Sequence, residues 1–109
     1  MAWRRKSRHT LKISIEERSQ DAQIKLEGRI TEPWTAELSR VWVEAATRLT
    51  GKRLVLDLRD VTYADEGATQ VLRNIYKQSR AQIITGTVWT QSLAERIMRD
   101  DFQPQSEEL

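Results

Sequence analysis

Residues 53–76, RLVLDLRDVTYADEGATQVLRNIY, constrain the fold more than any other stretch of this 109-residue chain. Leu54-Val55-Leu56-Asp57-Leu58 is almost continuously apolar, the pattern of a central strand covered on both faces. Asp57 interrupts the run, and a carboxylate there needs either the exposed end of the strand or hydrogen-bond donors. A second short apolar run, Val61-Thr62-Tyr63-Ala64, leads into the acidic turn Asp65-Glu66-Gly67. From Glu66 onward, Ala68, Val71, Leu72, Ile75 and Tyr76 recur at helical spacing, with Arg73, Lys77 and Arg80 off that stripe. A buried strand that passes through a tight turn into an amphipathic helix is the first half of a β-α-β crossover.

The flanking segments supply the other parts. Leu11 to Glu16 and Ala22 to Gly28 each alternate apolar and polar residues, as half-buried strands do, and the polar connection between them predicts an antiparallel hairpin. Gly28 ends the second strand, where a residue without Cβ permits an unusual φ or close backbone approach. A helix is predicted from Thr31, with Thr31 as cap and Pro33 in the first turn. Its stripe is Trp34, Leu38, Val41, Trp42, Ala45, Ala46 and Leu49, and Thr50-Gly51-Lys52 stops it. Trp34 and Trp42 share that stripe, which favours core packing over a ligand-stacking pair. Ala81 to Gly86 reads as a short strand. Thr87 to Met98 reads as a last helix with Val88, Leu93 and Ile97 facing inward and Trp89 as a further candidate.

The predicted order is β-β-α-β-α-β-α: one small α/β domain over residues 11–98, with a mixed, mostly parallel sheet of about four strands and helices packed on it. Residues 1–10 carry Arg4, Arg5, Lys6 and Arg8 without an apolar period and read as a basic flexible tail. Residues 99–109 read as a polar flexible tail.

Composition removes several classes of function. The net charge of +2 comes from a basic beginning and an acidic end, so the domain between them is close to neutral and nucleic-acid binding is disfavoured. There is no cysteine, and the one histidine, His9, lies in the basic tail. Thiolate chemistry, zinc–cysteine sites and a His-based triad have no residues to build them. No apolar run approaches the roughly 18 residues of a membrane span, and no apolar region follows the basic start as a secretory signal requires. A cytoplasmic protein is expected. Asp57, Asp65 and Glu66 are the candidates for acid–base or divalent-ion chemistry. No phosphate loop, nucleophile–base pair or third ligand accompanies them, so neither an enzyme nor a cofactor is expected.

The segment LVLDLRDVTYADEGATQVL, preceded by a strand ending LEGRI and by a helix, resembles the STAS family, the domain of sulfate transporters and bacterial anti-sigma factor antagonists. In that family an apolar strand ending Asp-Leu leads through a Val-Thr-Phe-like run to Asp-Ser-Ser-Gly and a helix. Gly28 also fits the pattern, and the resemblance spans residues 11–98. It implies a non-catalytic, protein-binding regulatory module whose partner is an anti-sigma factor or kinase in a partner-switching complex. The alternatives are a structural or homo-oligomerising subunit of a larger signalling or transport complex, and a small-ligand or nucleotide-binding module.

One departure bears on mechanism. Aligned on Asp65, the two family serines fall at Glu66 and Gly67, and the second is the usual phosphoacceptor. A gap placed to keep the glycine sets Glu66 over the serine pair and still provides no acceptor. Thr62 and Thr69 lie near but do not align. Phosphorylation at the usual site is therefore excluded by chemistry. Asp65 is expected to cap the helix and Glu66 to meet the positive end of its dipole. The same turn lies at the carboxyl end of the strand, where open α/β sheets bind their ligands. The expected partner-binding set is Tyr63, Asp65, Glu66, Gly67 and Thr69, with Gly28 and Trp34.

Overall fold

The computed structural model describes residues 11–99. The basic tail expected at 1–10, and all of the polar tail except Arg99, lie outside the described residues. The elements follow in the order β1 (Leu11–Glu17), β2 (Asp21–Ile30), α1 (Trp34–Leu49), β3 (Arg53–Ala64), α2 (Glu66–Ser79), β4 (Gln82–Ile84) and α3 (Val88–Met98). They form one four-stranded mixed sheet in spatial order β1-β2-β3-β4. β1 runs antiparallel to β2, and the other two pairings are parallel.

Alternation in β1 and β2 sends Leu11, Ile13, Ala22, Ile24 and Leu26 to one face, where they are buried. Leu54, Leu56 and Leu58 of β3 join them, together with Leu38 and Trp42 of α1, Leu72 and Ile75 of α2, and Leu93 and Ile97 of α3. All of these side chains belong to a single core, so the three helices cover the same face of the sheet. The opposite face carries Lys12, Ser14, Gln23, Lys25 and Glu27. The expectation that Leu54–Leu58 is covered on both faces is therefore not met. Val55 is only half-buried, and Asp57 is sheltered by neighbouring side chains rather than by a second layer of helices.

The two apolar runs of residues 53–64 are one strand of 12 residues whose phase changes along its length. Its register against β2 shifts between Lys25 and Glu27, and again between Gly28 and Arg29. In the first shift β3 moves from Asp57 to Asp60, and in the second from Val61 to Tyr63. Each shift adds one residue to β3, as a bulge does. Strict alternation from Leu58 would turn Asp60 and Thr62 into the core. With the shifts, Val61 and Ala64 are buried while Asp60 and Thr62 face water. Gly28 sits at the second shift with φ of 102°, a conformation that residues with a Cβ rarely adopt.

Two helix starts differ from expectation. Thr31 does not cap α1 with its side chain. Pro33, after a cis Glu32–Pro33 peptide, holds the N-cap position and no side chain caps the helix. Thr31 instead supplies its carbonyl oxygen, which accepts from Trp34 N at 2.7 Å and Thr35 N at 3.1 Å. At α3, Thr87 and Thr90 cap each other reciprocally. Burying Thr90 fixes the helix phase so that Thr90, Leu93, Ala94 and Ile97 face inward. Val88, expected inside, is thereby turned out to 86% exposure, and Trp89 is also on the exposed side.

Candidate functional site

The acidic turn is fixed by hydrogen bonds from three directions. Asp65 has extended backbone angles, and its Oδ1 accepts from Ala68 N at 2.8 Å, the N-cap bond of α2. Its carbonyl oxygen accepts from Thr69 N at 2.9 Å and from the Thr69 hydroxyl at 3.0 Å. Its own N–H donates to the carbonyl of Ile30 at 3.3 Å, tying the turn to the end of β2. Replacing Asp65 with Ala leaves the helix start without its side-chain acceptor. A loss of about 1 kcal/mol in unfolding free energy is expected, read by urea denaturation. A loss below 0.3 kcal/mol would mean that water replaces the cap.

Around this anchor the expected site residues separate into two groups. Tyr63, Glu66 and Gly67 are exposed beside the half-buried Asp65, at the carboxyl end of β3. Trp34 is half-buried against the core at the start of α1. The beginnings of α1 and α2 lie together: a Cβ on Gly67 would sit 3.8 Å from Thr35 Cγ2 and 3.6 Å from Asp65 Oδ1, ordinary contact distances. Thr69 and Gly28 are placed differently. Thr69 is 1% exposed and spends its hydroxyl on Asp65, so it supports the turn from below and offers no surface to a partner. Gly28 is half-buried inside the sheet, paired with Leu11 on one side and Val61 on the other.

Several contributors were not among the expected residues. Arg29 places its guanidinium 5.0 Å from the centre of the Tyr63 ring, within cation–π range. Arg96 Nη2 lies 3.5 Å from Glu66 Oε1. The backbone carbonyl of Arg96 accepts from Arg73 Nη2 at 2.9 Å, so α2 and α3 are stitched at the same place. Thr35 is buried, with no hydrogen-bond partner for its hydroxyl oxygen. The spacing 35, 38, 42, 45, 49 is a regular helical stripe that would have found it. Long-range partners such as Arg29 and Arg96 leave no comparable trace in spacing.

Asp57 finds the donors its position demands. The carboxylate is fully buried, and its Oδ1 accepts from the backbone N and the Nε of Arg59, each at 3.0 Å. Oδ2 accepts from Arg59 Nη2 at 2.9 Å and from Gln23 Nε2 at 3.4 Å. The Arg59 guanidinium holds the Asp57 carboxyl below its ordinary range, against the opposing effect of burial. Gly86 makes room for this arrangement, since a Cβ there would come within 3.1 Å of Arg59 Cγ. Asp57 is thus a structural acid, separated by the outer half of β3 from Asp65 and Glu66. Among the described residues no group of three or more His, Cys, Asp or Glu is disposed to hold a metal ion. No helix among them is long and apolar enough to cross a membrane.

The four-stranded mixed sheet and the element order β-β-α-β-α-β-α match the fold of a STAS domain. The chain is similar to the crystal structure of an anti-sigma-factor antagonist STAS domain from Rhodobacter sphaeroides, with a TM-score of 0.54 at 17% sequence identity. That similarity covers 73% of this chain and 90% of the Rhodobacter chain. No family model matches the sequence, and no curated protein matches it either. The likeness establishes the STAS fold.

Proposed function

We propose that this protein is a non-catalytic regulatory module of the anti-sigma factor antagonist kind, working in the cytoplasm by binding another protein through the Tyr63–Gly67 edge. The observation that carries this reading is the Asp65 turn. It is held by four hydrogen bonds at the carboxyl end of β3, on a STAS fold, and has no hydroxyl at either position of the family's serine pair. A turn so fixed presents the same surface at all times. Its partner, an anti-sigma factor or kinase, therefore binds constitutively or is released by a signal arriving elsewhere.

Glu66 gives the edge a permanent negative charge where relatives gain one by phosphorylation. The charge is smaller than that of phosphate, and the nearby Arg96 draws on it. The mimicry is therefore partial, and its effect on affinity is modest. The test is capture of the partner from the source cell by the immobilised full chain, followed by affinity measurement. Glu66→Gln is expected to weaken the complex about two- to five-fold, the range of a rim charge. Tyr63→Ala is expected to weaken it more, and Lys12→Ala on the open sheet face should leave it unchanged. Incubation with a kinase and ATP should leave the peptide around Asp65–Ala68 unmodified. Equal affinities for all variants would remove this edge from the interface, and a phosphate within the turn would overturn the constitutive reading.

A further inference from the structure

The ends of α2 and α3 border an open cleft of about 380 Å³ lined by Tyr76, Lys77, Arg80, Ile97, Met98 and Arg99. It lies at the opposite end of α2 from the acidic turn and plays no part in the reading above. We infer that this cleft is a binding site for a small polyanion, a ligand carrying two or more phosphate or carboxylate charges on a compact body.

The charge balance carries the inference. Lys77, Arg80 and Arg99 bring three positive charges, and no acidic side chain lines the cleft among the described residues. None of the three cations has an ion pair among those residues. Cations at helix ends ordinarily answer the helix dipole, which places about half a negative charge at each C-terminus. Two helix ends therefore account for about one of the three positive charges. Among the described residues about two remain uncompensated, which matches a dianion rather than a single carboxylate or chloride.

Arg80 adds a second, independent observation. It is the C-cap of α2 and adopts the left-handed conformation, with φ of 56° and ψ of 39°, where glycine is the favoured residue. It is the only described residue other than glycine with a positive φ. Its guanidinium is held 5.1 Å from the centre of the Tyr76 ring. The strained backbone and the ring together set a planar donor fork at the cleft, the geometry suited to phosphate or carboxylate oxygens. Tyr76, Ile97 and Met98 form the apolar part of the wall. The volume falls within the range of small-molecule sites.

The experiment is calorimetric titration of the full chain, which includes Asp100 and Asp101 directly after Arg99, with sodium pyrophosphate and separately with citrate. Saturable one-to-one binding of either is expected, and the two arms distinguish phosphate from carboxylate. Arg80→Gly is the informative variant because glycine relieves the left-handed backbone, so lost binding cannot be ascribed to lost folding. It is expected to weaken binding at least ten-fold while the melting temperature holds or rises. Lys77→Ala and Arg99→Ala should each weaken binding several-fold. Arg53→Ala, an exposed cation at the start of β3, should leave it unchanged. Absence of binding to both anions, equal loss in Arg53→Ala, or full binding by Arg80→Gly would each overturn the inference.

Discussion

Leu72→Ala is expected to lower the unfolding free energy of the full chain by about 3 kcal/mol, within the range for emptying a well-packed core position. Leu72 is fully buried on α2, one turn beyond Ala68 and Thr69, which carry the N-cap bonds to Asp65. It belongs to the core formed by the sheet leucines with Leu93 and Ile97 of α3. Truncation removes buried surface and leaves a cavity that the surrounding strands and helices can only partly close. For a domain of this size the melting temperature should fall by roughly 15 °C. Gln70→Ala, an exposed position on the same helix, should change stability by less than about 0.5 kcal/mol. A Leu72→Ala loss near that of Gln70→Ala would mean that α2 is not seated on the sheet as described.

The second large effect concerns Asp57 and depends on pH. Asp57→Asn replaces an acceptor that receives two charged donor bonds from Arg59, and the amide nitrogen cannot accept. A cost of about 1–2 kcal/mol is expected at pH 7, kept to the lower part of the range for charged hydrogen bonds because the Arg59 side chain is half in water. The folded carboxyl titrates below its ordinary value, chiefly through its hydrogen bonds to the Arg59 side chain. Its contribution is therefore complete above the unfolded value of about 3.9 and is lost as pH falls through the lower folded value. Guanidinium denaturation of both proteins at pH 7 and at pH 2 should show the gap between them closing in acid. A gap of equal size at both pH values would show that the carboxylate charge contributes nothing.

Element order was legible because each element announces itself locally. Alternation at 11–16 and 22–28, and the stripes beginning at Trp34 and Ala68, depend only on which face meets the core. What escaped depends on particular side-chain and backbone partnerships, some local and some distant, that hydrophobic spacing does not encode. The apolar run at 54–58 cannot distinguish a second helical layer from an Asp57 sheltered by Arg59 and Gln23. Thr31 has the chemistry of a cap, yet it serves the helix start with its carbonyl oxygen rather than its side chain. Val88 looked internal until the mutual capping of Thr87 and Thr90 rotated α3. The acidic turn was the most readable part of the candidate site, since an Asp three residues before its amide donor is a local device. Its neighbours Arg29 and Arg96 arrive through tertiary structure alone.

β3 spends 12 residues alongside a neighbour of ten. Leu58, Arg59 and Thr62 consequently have no partner residue on β2. The strand is thereby divided into an inner length, locked into the sheet from Arg53 to Asp57, and an outer length that carries the turn. A residue inserted or removed beyond Leu58 can be absorbed at the two shifts without rotating Leu54, Leu56 or Leu58 out of the core. The Tyr63–Gly67 edge can thus change in length and aim while the foundation beneath it stays the same.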